Sequence, residues 1–258
     1  MKNKKLWIIL AFLLAFIVGL MIFFNTPYRK AERLVKAIKQ ENYEEIEKLL
    51  NSGIDPNITT TSDVTEFLLN AVESTGERPL SVACDIGNLE IVQLLVEYGA
   101  TAEPYDKCGW SPLNQTLFHY QTDDKEIVEL LLKNGAEVNE DGSFGLPIFN
   151  AAEMIPSKYN RKSDNGVYYI GGYDEEVAKG ITDIVETLLE YGGYDVNLRS
   201  SYDGSTLLIS AAKSGNLYLA EYLILKGYDV NAKDDFNKSA FDYAQNNQDY
   251  EMTKLLAR

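Results

Sequence analysis

The chain has 258 residues, 45% of them hydrophobic, which is enough to bury a sizeable core. Its formal charge of −15 is uneven: residues 1–30 carry Lys2, Lys4, Lys5, Arg29 and Lys30 and no acid, so the remainder carries −20. Such an acidic body argues against nucleic acid and anionic lipid as its ligands, because phosphate binding runs on Lys and Arg, and it favours a neutral or basic protein surface.

The N-terminal basic cluster precedes an uncharged apolar run, Leu6 to Phe24, of 19 residues. That length approaches the roughly 20 residues needed to cross the hydrocarbon layer and exceeds the usual apolar core of a signal peptide. No small-x-small cleavage site follows, and Trp7 lies where an indole suits the interface. Residues 1–30 are therefore expected to form one uncleaved transmembrane anchor, a cleaved signal being the alternative. A literal Lys/Arg count of the two flanks would keep the body in the cytoplasm, whereas the short basic start resembles a secretory n-region. The expectation taken is an exported body. Richness in Lys, Asn, Ile and Tyr suggests an AT-rich bacterial genome, so the expected address is the bacterial inner membrane.

Residues 31–57 read as a helical hairpin: Leu34, Val35 and Ile38 make one apolar stripe, Ile46, Leu49 and Leu50 the next. Gly53 offers a left-handed cap, and Asp55-Pro56 begins the exit loop. Ile58–Thr75 is extra, and Val64, Phe67, Leu68, Leu69 and Val72 predict a short helix within it.

From Arg78 a phrase of about 33 residues recurs. Its clearest copy runs Arg78-Pro79-Leu80, then Ala83-Cys84, then Ile91-Val92, Leu94-Leu95 and Gly99-Ala100. Its second half returns at Glu126–Asn139 and Leu217–Asn231. Further openings stand at Gly109–Leu113, at Leu146-Pro147-Ile148 with Ala151-Ala152, at Gly204–Leu208 with Ala211-Ala212, and at Ser239-Ala240-Phe241 with Tyr243-Ala244. Pro at a first helical turn loses no hydrogen bond, paired Ala lets helices approach, and Gly after a helix turns the chain without a Cβ clash. A unit of this kind cannot bury its apolar face alone and must stack on its neighbours.

These motifs resemble those of the ankyrin-repeat family across nearly all of residues 31–258. The resemblance implies an all-α solenoid of helix-turn-helix units with loop fingers, here preceded by the transmembrane helix. About six units are expected, including caps and insertions near 58–75 and 154–175. The family's His is replaced by Ser81, Asn114, Phe149, Ile209 and Asp242, which weakens its hydrogen-bond relay, and Arg78 and Leu146 replace its Thr. The second insertion, residues 154–175, carries a tight-turn signal at Asp164–Gly166 and strand-like residues 167–170. Its Lys158, Arg161 and Lys162 make a small basic island on the acidic body, and its Tyr159, Tyr168, Tyr169 and Tyr173 are rings of the type enriched at interfaces.

The chemistry of an enzyme is missing from the sequence. His119 is the one histidine, no zinc-ligand spacing or phosphate loop occurs, and Cys84 and Cys108 are too few for a disulfide framework. Cys84 falls where the repeat wants a small buried residue, and Asp123-Asp124 reads as a loop pair. No catalytic residue, cofactor, metal or small-molecule substrate is expected. The resemblance implies instead a protein partner bound on the concave face and loops. By position that nominates Glu77, Asp85 and Ile86, then Lys107, Trp110, Phe118 and His119, then Tyr202, Asp203, Ser205 and Lys213, then Phe236 and Lys238. The expected function is a membrane-tethered protein-binding module. Two narrower readings stay open: an immunity-type inhibitor of a toxin in the bacterial envelope, and a general envelope scaffold.

Overall fold

The structure, a computed structural model, describes residues 27–60, 77–103, 111–118, 120–139, 145–156, 159–160, 168–169 and 172–257. The expected transmembrane run Leu6–Phe24, the expected helix within 61–75, and Cys108 lie outside the described residues. Among the described residues no helix is long and apolar enough to cross a membrane.

Twelve helices form among the described residues: α1 Pro27–Lys39, α2 Tyr43–Asn51, α3 Pro79–Ile86, α4 Leu89–Glu97, α5 Pro112–Thr116, α6 Asp124–Lys133, α7 Pro147–Ala152, α8 Glu175–Gly192, α9 Leu207–Ser214, α10 Leu217–Leu225, α11 Ala240–Asn246 and α12 Tyr250–Leu256. Between α7 and α8 two short strands, β1 Tyr159–Asn160 and β2 Tyr168–Tyr169, pair antiparallel with Tyr159 opposite Tyr169. The strand expected at 167–170 is thus seen at its centre, and the second insertion divides the two helices of its repeat. The chain divides into two compact units, one of Met1–Ala83 with Leu94–Ala100, the other of Cys84–Gln93 with Thr101–Arg258.

In the first unit α1 and α2 form the expected hairpin. Leu34, Ile38 and Ile46 are fully buried between them. Helix α1 starts at Pro27, within the segment assigned from sequence to the anchor; a proline suits that first position because its missing N–H has no intrahelical partner. Asn42 caps α2 by accepting from the Glu45 N–H at 3.1 Å. Ser81, where the family has His, buries a hydroxyl that has no partner among the described residues.

In the second unit the helices form two rows. The inner row packs α5 on α7, α7 on α9 and α9 on α11; the outer row packs α6 on α8, α8 on α10 and α10 on α12. The inner contacts are made by Ala151, Ala152, Ala211 and Ala212, all without exposed surface, and Ile148, Ile181, Leu208 and Leu223 fill the space between rows. Each such Leu or Ile contributes about 1.5–3 kcal/mol of burial free energy. Cys84 occupies its Ala position with no exposure, and burial pushes its thiol up to about 12, so it is a core residue and not a nucleophile.

Polar groups hold the repeats in register. Asn216 caps α10 by accepting from the Leu219 N–H at 3.0 Å, while its amide donates to the Ala178 carbonyl of α8 at 3.1 Å. Of the residues at the His position, Asn114 accepts from the Asn150 amide of the next inner helix at 3.3 Å, Phe149 and Ile209 are buried, and Asp242 closes a capping box on its own helix. In the loop turns the side chain that bends the backbone is the Asp two residues before each Asn. Asp55, Asp195 and Asp229 accept from the N–H groups of Asn57, Asn197 and Asn231 at 2.9, 2.7 and 2.9 Å. Gly180 in α8 has a packing reason: a Cβ there would stand within 2 Å of the Tyr120 hydroxyl.

Asp124 departs from its expected place in a loop. It opens α6 and is fully buried. One oxygen accepts from the Gln121 N–H at 2.6 Å and the other has no partner among the described residues. Burial, with Asp123 and Glu126 nearby, pushes its carboxyl up to about 8. An acid with a raised folded-state pKa stabilises the fold fully below its unfolded value of 3.8, and that contribution is lost as pH rises through about 8. Asp124→Asn keeps the acceptor for Gln121 without the charge. Its Tm advantage over the native chain is expected to grow steadily between pH 4 and pH 8; a difference in Tm that stays constant with pH would refute the assignment.

Candidate protein-binding site

Two successive loops in the second unit build a pair of fingers. After the Asp195–Asn197 turn, Arg199 bridges antiparallel to Thr206, and Ser200 exchanges backbone bonds with Ser205 and Gly204 at 2.9 and 3.0 Å. After the Asp229–Asn231 turn, Lys233 bridges to Ser239, and the Asp234 carboxylate accepts from the N–H groups of Phe236 and Lys238, each at 2.9 Å. The fingers are bonded to each other. The Asp235 N–H donates to the Asp203 carbonyl at 3.0 Å, and the Arg199 guanidinium donates to the Gly204 and Lys233 carbonyls, both at 2.7 Å. Each finger presents an aromatic ring at the same distance beyond its loop Asn. Tyr202 is 92% exposed and Phe236 is 68% exposed.

The base of the fingers is an ionic network. Lys213, one residue from the end of α9, donates to Asp203 and to the Ser205 hydroxyl, the latter at 2.7 Å, and stands 5.2 Å from the Tyr243 ring centroid. The Tyr243 hydroxyl donates to Asp234 at 2.6 Å. Burial opposes ionisation of Asp203, but the bonds from Lys213 and Ser205 outweigh it and hold the carboxyl below its ordinary range. Burial and then the Asp234 carboxylate push the Tyr243 hydroxyl up to about 12, so it stays a donor at neutral pH.

Beside the first finger lies a groove of about 660 Å³, formed by the end of α7, the finger and α9. Phe149, Asn150, Glu153, Ile155, Tyr202 and Asp203 are among its walls.

Of the residues nominated from sequence, Tyr202, Asp203, Ser205, Lys213, Phe236 and Lys238 come together here. Ser205 is fully buried and serves to hold Lys213, whereas Lys238 is exposed and lies 5.4 Å from the Tyr243 ring centroid. Asp85 is turned to internal use, its carboxylate accepting from Gln115 at 2.9 Å and its carbonyl from Gln121 at 3.1 Å. Ile86 is half-buried, Phe118 is 57% exposed, and Glu77, in the first unit, ion-pairs with Lys39. Tyr159, Tyr168 and Tyr169 lie in the two short strands. Lys107, Trp110, His119 and Arg161 lie outside the described residues. Sequence reasoning missed Asn150, Glu153 and Ile155. Glu153 follows Ala151-Ala152 as Lys213 follows Ala211-Ala212, so counting from the paired alanines would have found it.

A larger groove, about 940 Å³, runs along α1 in the first unit. Its Arg29, Arg33 and Lys39 ion-pair with Glu32, Glu45 and Glu77. Exposed pairs of this kind contribute little. Among the described residues no group of three His, Cys, Asp or Glu side chains is placed to hold a metal ion.

A family model described as ankyrin repeats (3 copies) matches residues 34–141 and 176–258, and the chain belongs to the ankyrin-repeat family. Repeats of this family are protein–protein interaction modules, and they are typically non-enzymatic. The chain is similar to ankyrin repeat and SAM domain-containing protein 6 of Mus musculus, with 32% identity over 120 residues, covering 46% of this chain and 12% of the relative. It is similar to a transient receptor potential cation channel subfamily A member 1 homolog of Caenorhabditis elegans, at 24% identity over 81% of this chain and 18% of the relative. Ankyrin repeat protein B18 of Variola virus is 25% identical over 82% of this chain and 40% of the relative. The chain thus spans well under half the length of these relatives. They come from animals and a poxvirus, which lends no support to the bacterial source expected from composition.

The network at the base of the fingers yields a test. Lys213→Met keeps the packing stem and removes the donor. Amide hydrogen exchange at Ser205 and Gly204 is expected to rise about tenfold, the scale of one charge-assisted hydrogen bond, while exchange in α12 is unchanged. Unaltered exchange at 204–205 would show that the backbone bonds alone hold the finger.

Proposed function

We propose that this chain is a non-enzymatic protein-capture module, held at a membrane by Leu6–Phe24, that engages a neutral or basic protein through its two fingers. The observation that carries the reading is the pair of solvent-exposed rings Tyr202 and Phe236, borne on loops that are hydrogen-bonded to each other. Aromatic anchors on a pre-organised frame supply much of the energy of protein interfaces. The charge of −20 outside residues 1–30 selects against an acidic partner. Tethering would confine capture to one membrane face and raise the effective concentration there.

The immunity and scaffold readings differ from each other only in the partner. Crosslinking from cells, followed by identification of the captured protein, separates them: a single basic toxin in one case, several resident membrane proteins in the other. Tyr202→Ser with Phe236→Ser is expected to weaken capture at least about tenfold with Tm altered by less than about 2 °C, since neither ring is buried. Undiminished capture would remove the fingers from the interface.

Membrane attachment is checked separately. The full chain is expected in the membrane fraction and a chain starting at Pro27 in the supernatant. A C-terminal alkaline phosphatase fusion is expected to be active, as an exported body requires. Fluorescence of a C-terminal fluorescent-protein fusion without phosphatase activity would place the repeats in the cytoplasm and end the envelope readings.

A further inference from the structure

Resting on the finger reading just given, we infer that the groove beside the first finger takes an arginine-bearing segment of the partner, with the guanidinium on Glu153 and a flanking apolar side chain against Ile155 and Tyr202. The groove has the volume for it, about 660 Å³. Its hydrogen-bonding groups are unbalanced towards acceptors. Oε1 of Glu153 accepts from the Ser210 hydroxyl at 3.0 Å, while Oε2 has no partner among the described residues. One turn earlier on α7, the Asn150 amide nitrogen is committed to Asn114, which leaves the Asn150 carbonyl oxygen open.

Among the described residues, Lys213 is the one cation lining the groove, and it is already engaged. Lys213 is bonded to Asp203 and Ser205 and stands 3.9 Å from Glu153, so it offers an incoming carboxylate little. Among the described residues the groove thus offers acceptors at Glu153 and Asn150 and no uncommitted cation. A guanidinium brings five N–H donors in a plane and a charge that cannot be lost, and its weak hydration suits a half-enclosed groove better than an ammonium does. The rim supplies the apolar part, with Ile155 45% exposed beside Tyr202. An acidic segment would meet Glu153 with no uncommitted cation among the described lining residues to offset it.

The test uses the full chain, ¹⁵N-labelled, in a non-ionic detergent. The probes are two capped pentapeptides, one with a central arginine between leucines and its twin with a central glutamate. The arginine peptide is expected to shift the amide signals of Asn150, Glu153, Ile155 and Tyr202 saturably, and the glutamate peptide to leave them in place. Glu153→Gln keeps the acceptor for Ser210 and removes the charge; it is expected to weaken the arginine peptide about tenfold, as loss of a charge-assisted bond does. Equal shifts from both peptides, shifts elsewhere, no shifts, or an unchanged affinity in Glu153→Gln would each overturn the inference. The finger reading fails separately. A captured protein that needs Tyr202 and Phe236 but binds Glu153→Gln undiminished keeps that reading and removes this one, whereas normal capture by the Tyr202 and Phe236 variant removes the fingers and leaves the peptides to decide the groove.

Discussion

A helix pair of this size exposes an apolar face on either side, and the only surface of matching shape is the next pair. In the second unit that constraint is met by alanines. Ala151, Ala152, Ala211 and Ala212 bring the inner helices close enough for Ile148, Ile181, Leu208 and Leu223 to close the space behind them. A larger side chain at any of the four would part the inner row and strip contacts from both neighbours, so the cost would spread beyond its own repeat. Because inner helices are held close, the loops that leave them are held close too, and the fingers inherit their spacing from the core.

Polar groups in this stack fix register more than they add stability. Asn216 reaches from one outer helix to the carbonyl of its neighbour while capping its own helix, so sliding one repeat past the next would leave two buried groups unpaired. Arg199 does the same between fingers, donating to a carbonyl of each. Asp124 is the exception, a buried carboxyl with one oxygen unpartnered among the described residues, and the fold is expected to tolerate it by keeping it largely protonated near neutral pH.

This economy explains why the finger tips stand apart from the rest. The backbone of each finger is bonded internally and to the other finger, so Tyr202 and Phe236 can be presented to solvent without the loops collapsing to cover them. A surface built in this way loses little conformational entropy on binding, which is the usual limit on what loops can contribute to affinity.

Much of this was legible in the chain itself. The period of about 33 residues dictates stacking, Pro79, Pro112 and Pro147 mark where inner helices begin, and Cys84 declares its burial by standing where an alanine belongs. These features are local or periodic, and local signals survive in a sequence. The Lys213–Asp203–Ser205 network, the bonding of one finger to the next, the burial of Asp124 and the place of Glu153 in a groove join residues that sequence separates, by as much as 57 positions between Ser210 and Glu153. Periodicity says that repeats stack, but which side chain of one repeat meets which of its neighbour depends on insertions and helix lengths. Those distances are fixed only when the core closes, and so the fold could be read from the sequence whereas the site had to wait for the tertiary structure.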